Sequence, residues 1–320
     1  MPTKILKIVA ISAGILCAAL NTVAQDYPNK PVRIVTAEAG GGSDLVTRLI
    51  AQGLTSTFQQ QVLVENRGGS AVIPAQIVAQ ASADGYTLLL SGNSVWLLPL
   101  LQETPYDPVR SFAPITLAVS SPNILVVHPS VQARSVEELI GLARAHPGAL
   151  NYASGITGAA NHLAAELFQL LAGVKIVRVA YKGAAPALND LIGGQVQLMF
   201  ASAGSVAAHV KSARLRALAI TSAVPSALIS GVPTIAASGL PGYEAISMFG
   251  LFGPARTPNA LIDRINRETV KVLGRADIRD KLLSAGVEVV ANAPLQFAAA
   301  IKSEMAIMGK VVKTAGLRTQ

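Results

Sequence analysis

The sequence has very little cysteine. Its one thiol is Cys17, which lies in a segment that we expect to be removed on export. A mature chain without cysteine can form no disulfide, no thiolate nucleophile and no cysteine metal site. A lipid anchor is also disfavoured, because the residue before Cys17 is Leu16, whereas lipid attachment favours a small side chain there. The mature protein is therefore expected to fold without covalent cross-links.

Long apolar runs are scarce as well. Lys4 and Lys7 precede an apolar run over 8–20, and a small-x-small triplet ending at Ala24 follows it, which is the layout of a secretory signal peptide. A membrane-spanning helix needs about 20 apolar residues, and neither this run nor a later one reaches that length. We therefore predict a signal peptide over residues 1–24, cleavage near Ala24 and a soluble, exported mature chain.

Aromatic residues are few, and basic residues do not cluster. The formal charge of +8 falls to +6 once Lys4 and Lys7 are removed, and the remaining Lys and Arg are scattered. Such a charge attracts anionic solutes weakly and is not the footprint of a nucleic-acid-binding surface. No aromatic series accompanies a basic stripe to stack single-stranded bases. A small solute is therefore the expected partner, and nucleic acid is not.

Strand and helix patterns alternate along the chain, which predicts an α/β fold with helices on both faces of a parallel sheet. A strand over 32–36 leads through a glycine turn into a helix, and a strand over 150–153 leads through another such turn into a helix. The mature length exceeds the roughly 250 residues at which single cores stop growing. We predict two lobes: residues 26–123 with 248–320 form lobe 1, and residues 124–247 form lobe 2.

Each lobe contains a turn rich in glycine and hydroxyl side chains between a strand and a helix. The turns are Gly40-Gly41-Gly42-Ser43-Asp44 and Ser154-Gly155-Ile156-Thr157-Gly158. Backbone N–H groups and the helix dipole favour an anion there, and ligands of open α/β sheets bind at the carboxyl ends of strands. The alternative is that Ser43, Asp44 or Thr157 only caps a helix. The presence of two such turns favours one small anion held between the lobes.

Nucleotide and metal cofactors are not expected. Leu45 occupies the position where a dinucleotide motif has its third glycine, and no Gly-Lys-Ser/Thr sequence forms a P-loop. Besides His162, the histidines lack the spacing of metal ligands: His128, His146 and His209.

His162 follows the second glycine turn and is predicted to donate a hydrogen bond to a ligand carboxylate or to satisfy the helix end. The alternative is a general base in an exported hydrolase, which would need a positioned nucleophile. No serine lies in a Gly-x-Ser-x-Gly elbow, so binding without chemistry is favoured. Tyr181 and, more weakly, Lys182 could also reach a carboxylate.

Several stretches together resemble the Bug family, the periplasmic receptors of tripartite tricarboxylate transporters. They are Tyr27-Pro-Asn-Lys-Pro31, Val64-Glu-Asn-Arg67, Asp84-Gly-Tyr-Thr-Leu-Leu89, Pro105-Tyr-Asp-Pro108, Leu150-Asn-Tyr-Ala-Ser154, Tyr181-Lys-Gly183, Gly193-Gly-Gln195 and Phe249-Gly-Leu251. The resemblance implies a two-lobe periplasmic binding protein of the type II-like class, with a ligand cleft between lobes that close about a hinge. It also implies a small carboxylate ligand, a monomer, and membrane translocator subunits as partners. A ligand sensor for a membrane signalling receptor is a further alternative.

The binding loops implied by the resemblance match both glycine turns, and a third loop is Ser91-Gly92-Asn93-Ser94. This chain has Thr36-Ala37 before Glu38 where the family usually has Pro-Phe, and Phe200-Ala201-Ser202 where many members have Phe-Asp-Asn. These departures remove an aromatic wall and a carboxylate, and Glu38 adds a negative charge near the mouth. The predicted ligand-binding residues are Gly40, Gly41, Gly42, Ser43, Asp44, Ser91, Asn93, Ser154, Thr157, His162, Tyr181 and Ser202.

Overall fold

The structure is a computed structural model that describes residues 27–37, 39, 42–68, 70–155, 159–181 and 184–317. The predicted signal peptide, residues 1–24, therefore lies outside the described residues. So do four other positions singled out from the sequence: Gly40, Gly41, Thr157 and Lys182. Glu38 is outside them as well.

The first part of the chain forms a parallel set of strands with helices between them. The strands are β1 (Val32–Thr36), β2 (Val62–Asn66) and β3 (Thr87–Gly92), and the helices are α1 (Gly42–Phe58), α2 (Val72–Ala79) and α3 (Ser94–Leu101). β1 pairs with both β2 and β3 in parallel. β1 lies between β2 and β3 and buries Val32 and Ile34 on one face and Val35 on the other, as strands covered by helices on both sides do. α1 buries Val46, Ile50 and Leu54 at helical spacing against this sheet.

The long strand β4 (Phe112–Val127) is shared by both parts of the sheet. Residues 112–122 pair antiparallel with β9 (Ile246–Pro254). From Asn123 onward β4 pairs antiparallel with β7 (Leu198–Ser202) and β8 (Arg216–Ile220). The hydrogen-bond partners of β4 thus change completely between Pro122 and Asn123.

The second part repeats the parallel arrangement. Its further strands are β5 (Asn151–Ser154) and β6 (Val177–Ala180), and its helices are α4 (Val136–Ala145), α5 (Ala160–Ala172), α6 (Ala184–Ile192) and α7 (Ala203–Lys211). β5 pairs in parallel with β6 and with β7. A 3₁₀ turn, Ala236–Ser238, lies between β8 and β9.

The end of the chain packs back onto the first part. It contains α8 (Asn259–Leu273), α9 (Ala276–Ser284), β10 (Glu288–Val289) and α10 (Pro294–Thr314), and β10 adds to β4 at Val119 and Ser120. α10 buries a stripe formed by Phe297, Ile301 and Met308, and it contacts α3, α5 and β4. The last helix therefore touches elements from both parts of the chain.

The predicted α/β fold class is confirmed, but the sheet is mixed where the alternating pattern predicted a parallel one. β9 is antiparallel to both β3 and β4. The reason is that β4 leaves the first part of the sheet and β9 returns to it, so neighbouring passes run in opposite directions. The lobe boundaries near 123 and 248 stay a prediction.

Candidate ligand-binding site

The carboxyl ends of the parallel strands in both parts of the chain meet at one stretch of β4. Gly92, at the end of β3, pairs with Phe249, which pairs with Val119 of β4. Ser202, at the end of β7, pairs with Asn123 of β4. The strand ends therefore converge on residues 119–123, which is where open α/β sheets bind ligands.

The first part of the chain contributes the N-terminus of α1 to this site. Ser43 and Asp44 lie in the first turn of α1, and both are buried. The Asp44 carboxylate accepts hydrogen bonds from Arg48 Nε at 3.1 Å and from Asn66 Nδ2 at 2.9 Å. Asn66 Nδ2 also donates to the Ala37 carbonyl at 3.0 Å. A carboxylate at a helix N-terminus stabilises that helix, so these contacts give Asp44 a role in fixing the turn. Its predicted ligand contact stays a prediction.

Two buried polar atoms near the meeting strand ends have no hydrogen-bond partner among the described groups. They are Thr36 Oγ1, at the end of β1, and Asn123 Nδ2, where β4 changes partners. The two residues are 0% and 6% exposed. Each buried unpaired polar group costs about 1–3 kcal/mol, so a ligand or a bridging water is expected to satisfy them. Thr36 was noted from the sequence only as a departure from the family pattern, and Asn123 was missed.

The third loop places Asn93 against the last helix. Asn93 Nδ2 donates to the Ile246 carbonyl at 3.1 Å and to Glu304 Oε1 at 2.8 Å. Trp96 Nε1 donates to the other Glu304 oxygen at 2.6 Å. The described hydrogen bonds of the Asn93 side chain thus anchor the loop to β9 and α10. The neighbouring Ser91 is buried on β3 opposite Gly250.

Glu304 was missed from the sequence. Burial raises its pKa to about 7, and repulsion from Glu244 adds to the rise, while the hydrogen bonds from Asn93 and Trp96 oppose it. The available signal was its spacing, since Glu304 follows Ile301 and precedes Met308 by helical steps on the buried stripe of α10. A carboxylate in such a stripe needs buried donors, but the sequence does not say which donors face it.

On the second side, Arg178 holds the start of the turn that follows β5. Its Nε donates to Ser154 Oγ at 2.7 Å and its Nη2 donates to the Gly155 carbonyl at 2.8 Å. Gly155 N in turn donates to Asn161 Oδ1 at 3.4 Å, in the first turn of α5. Arg178 lies on β6 opposite Tyr152 of β5. Sequence reasoning missed it, because only the pairing of β6 with β5 brings it to Ser154.

His162 is buried one turn into α5, with 1% of its surface exposed. Its Nε2 lies 3.7 Å from Glu166 Oε1, and the same carboxylate accepts a hydrogen bond from the Tyr152 hydroxyl. Burial, and then the charge of Arg178, lower the pKa of His162 to about 4. The ring is therefore neutral at pH 7. Its contact with a ligand stays a prediction.

Tyr181 and Ser202 hydrogen-bond to nearby helices. The Tyr181 hydroxyl donates to Asp190 Oδ2 at 2.7 Å, and burial together with this hydrogen bond raises its pKa to about 12. Ser202 is exposed at the start of α7, with its Oγ 3.0 Å from Ser205 Oγ. Ser202 ends β7 and Tyr181 follows β6, so both lie at the carboxyl ends of strands. Their contact with a ligand stays a prediction.

A comparison with known protein families identifies the family to which this chain belongs. The profile of the tripartite tricarboxylate transporter family receptors matches residues 46–317. The chain belongs to this family. The resemblance to the Bug receptors drawn from the sequence is thereby confirmed.

Relatives of this receptor match it over nearly its whole length. Protein BugT of Bordetella pertussis is 33% identical over 99% of this chain and 98% of its own. The structure of Rpa4515 of R. palustris with adipate is 35% identical, with a TM-score of 0.74 over 91% of this chain and 99% of that one. The structure of MatC from Rhodopseudomonas palustris with bound malate is 27% identical, with a TM-score of 0.70 over 89% and 100%. Both solved structures thus share the fold of this receptor along nearly its whole length.

Within the described part of the receptor, no group of three or more His, Cys, Asp or Glu side chains is placed to hold a metal ion. Among the same residues, no helix has both the length and the apolar character needed to cross a membrane.

Proposed function

We propose that this receptor captures a small carboxylate where the strand ends meet and delivers it to the membrane subunits of a tripartite tricarboxylate transporter. The observation that carries the proposal is the placement of Arg178, Ser154 and the start of α5 together at the carboxyl ends of β5 and β6. A cation, a hydroxyl and a helix N-terminus all favour an anionic group. Adipate and malate, seen with two relatives, are both dicarboxylates, which supports this class of ligand.

The carboxylate is held at both sides of the crevice. Ser43 and the start of α1 serve the first side, with the predicted contacts of Gly40, Gly41 and Gly42. Ser154, with the predicted contacts of Thr157 and His162, serves the second. Thr36 Oγ1 and Asn123 Nδ2 are buried without described partners, and a ligand or a bridging water supplies what they lack. Water-bridged contacts of this kind bind nearly as well as direct ones.

Closure of two lobes about β4 and β9 couples binding to delivery. Residues 26–123 with 248–320 move against residues 124–247, and a ligand that contacts both lobes favours the closed form. Membrane subunits that recognise only the closed form then bind only receptor molecules that carry a ligand. The receptor acts as a monomer and performs no chemistry on its ligand.

Binding is tested by thermal unfolding of refolded, ligand-free protein against mono-, di- and tricarboxylates. A carboxylate present at about 100 times its dissociation constant stabilises the protein by about 2.7 kcal/mol, which raises the melting temperature visibly. The matched controls are the corresponding amides, which keep the shape of each acid and lack its charge. Stabilisation by amides and acids alike would contradict the proposal, as would chemical conversion of a bound carboxylate.

Export is tested by expressing the full chain in a Gram-negative host and measuring the intact mass of the periplasmic product. We expect a mature chain that begins near Gln25, since the small-x-small triplet ends at Ala24. Replacing Ala24 by a bulky residue is expected to leave the precursor uncleaved. Full-length protein confined to the cytoplasm would contradict the predicted localisation.

A further inference from the structure

A cavity of about 200 Å³ lies between β4, β9 and α10. Its buried walls are the apolar side chains of Leu117, Met248 and Met308. An apolar cavity of about 150 Å³ can bind benzene, so this one has room for a hydrocarbon chain of about five carbon atoms. None of the described residues that line it belongs to the proposed carboxylate site.

Two carboxyl groups, those of Glu244 and Glu304, line the same cavity. The Glu304 oxygens accept hydrogen bonds from Asn93 and Trp96, which are both neutral donors. Glu244 lies close enough for its charge to act on Glu304. Within the described part of the chain, no Lys, Arg or His side chain pairs with either carboxyl group. Buried charges are normally paired, so a cation that enters the cavity is attracted by both groups.

The polar and apolar parts of the lining differ in exposure. Glu244, Ser303 and Ile307 are exposed, whereas the apolar walls are buried. This arrangement suits a molecule with a cationic head and a short apolar tail. An anion is disfavoured by the two carboxyl groups. A hydrated metal ion also fits poorly, because most of the walls are apolar and no described group of three or more His, Cys, Asp or Glu side chains is placed to hold it.

We propose that the cavity between β4, β9 and α10 is a second binding site, which takes a short primary alkylammonium ion. The alkyl chain packs against Leu117, Met248 and Met308, and the ammonium group contacts the carboxylates of Glu244 and Glu304. This site is separate from the carboxylate site and takes a ligand of opposite charge. Binding here therefore does not depend on the proposed transport function.

Trp96 provides a direct readout of this site. It is the one tryptophan of the chain, and its Nε1 donates to Glu304 Oε2 at 2.6 Å. A cation that binds Glu304 changes the acceptor of the indole N–H, so we expect a saturable change in tryptophan fluorescence. The probe is n-pentylammonium chloride, titrated into the mature protein at pH 8 and checked by calorimetry. The matched control is 1-pentanol, which keeps the chain and lacks the charge.

We expect 1-pentanol to bind at least about tenfold more weakly than pentylammonium, since it cannot form a charge-assisted hydrogen bond. Shortening the chain to butylammonium and then to propylammonium should weaken binding about fourfold per methylene group. Equal binding of pentylammonium and pentanol would overturn the proposed role of the carboxyl groups. Equal binding of the three amines would overturn the proposed role of the apolar walls.

Variants separate the two carboxyl groups from the cavity itself. Glu304→Gln should weaken pentylammonium about 10- to 100-fold, as loss of an interaction with a charged group does. The exposed Glu244 should matter less, so Glu244→Gln is expected to cost about two- to fivefold. Ala300→Leu fills part of the cavity and should abolish binding while keeping both carboxyl groups. The control is Glu137→Gln, an exposed glutamate on α4 outside this lining, which should change nothing.

The pH dependence of binding gives a readout that a merely structural role of Glu304 would not move. The ammonium group competes with a proton for Glu304, whose pKa is about 7, while a primary amine stays charged below about pH 9. Wild-type affinity should therefore fall about tenfold from pH 8 to pH 6, and Glu304→Gln should abolish this dependence. Glu244 is the described charged group that acts on Glu304, so Glu244→Gln should move the fall to lower pH.

The outcomes for the two sites are distinguishable. No saturable response to pentylammonium in a wild type that a carboxylate stabilises would overturn the alkylammonium site and leave the receptor function intact. Saturable pentylammonium binding without any carboxylate binding would overturn the receptor function alone. Pentylammonium binding that Ala300→Leu leaves unchanged would place the amine outside this cavity and overturn the inference.

Discussion

Replacing Gly250 by alanine is expected to destabilise the receptor by about 3 kcal/mol or more. A Cβ on Gly250 would lie 2.5 Å from Phe297 Cε1 and closer still to Cζ. Phe297 cannot move aside easily, because its fully buried ring packs 4.9 Å from the ring of Phe252 and 5.9 Å from that of Trp96. Overpacking a dense core typically costs about 1–3 kcal/mol and occasionally more, and this contact is well inside van der Waals distance. Urea unfolding at neutral pH measures the change.

The overpacking at Gly250 also affects the candidate ligand-binding site, because Gly250 pairs with Ser91 of β3 and with Leu117 of β4. Replacing the Phe297 ring by the shorter side chain of leucine in the Gly250→Ala background should restore part of the lost stability, since the added Cβ then has room. The matched control is Gly309→Ala on α10, the helix that carries Phe297. A Cβ added at Gly309 meets nothing within 4 Å. That variant should gain about 0.5–1 kcal/mol from helix propensity. Equal effects at Gly250 and Gly309 would show that the close contact does not decide the outcome.

The repeated strand, glycine turn and helix were predictable from the sequence because they depend on local patterns. Alternating apolar positions, the turns after β1 and β5 and the buried face of α10 all follow from periodicity and turn chemistry. The antiparallel β9 was not predictable in this way, since an apolar run does not show which neighbour it pairs with. The direction of β9 follows from the return of the chain to its first part, which is a property of the whole fold.

The candidate site was only partly predictable, for the same reason. Ser154 lies in a turn that its own sequence identifies, whereas Arg178 reaches it across 24 residues through the pairing of β6 with β5. The ligand contact of Asn93 was predicted from the loop 91–94 that the resemblance implies, and it stays a prediction. The hydrogen bond from its side chain to Glu304, 211 residues away, could not be predicted from that loop. Side-chain partners that depend on tertiary packing need the structure, even where the loop that carries them is evident.

The pKa values of two buried groups, Glu304 and His162, shift in opposite directions. Their contributions to the pH dependence of stability are therefore expected to cancel over part of the pH range. The pKa of Glu304 is raised from 4.5 to about 7, mainly by burial. The folded state therefore binds a proton that the unfolded state has lost, and stability falls as pH rises from about 4.5 to 7. The pKa of His162 is lowered from 6.5 to about 4, mainly by burial. Here the unfolded state binds the extra proton, and stability falls as pH drops from about 6.5 to 4.

The two slopes have opposite signs and overlap, so their sum is nearly flat between about pH 4.5 and 6.5. Each full pKa unit corresponds to about 1.4 kcal/mol, which sets an upper limit of about 3.5 kcal/mol for either group. Relative to the wild type, Glu304→Gln should gain stability from pH 5 to about 7 and level off by pH 8, because only the wild type loses stability in that window. Conversely, His162→Gln should be relatively more stable at pH 4.5 than at pH 7. Urea unfolding of ligand-free protein at each pH gives both differences, and taking differences cancels the other titrating groups.

The difference in stability between Glu304→Gln and the wild type at one fixed pH separates the effect of the charge of Glu304 from that of its hydrogen bonds. Glutamine keeps one acceptor but turns an NH2 group towards Asn93 or Trp96, both of which donate to Glu304. Glu304→Gln is therefore expected to be less stable than the wild type at pH 5, where Glu304 is protonated, even though its relative stability rises towards pH 8. The control is Glu244→Gln, which removes the repulsion that helps to raise the pKa of Glu304 and should move the wild-type loss to lower pH. Profiles of Glu304→Gln and the wild type that run parallel from pH 5 to 8 would rule out burial of a titrating carboxyl at this position.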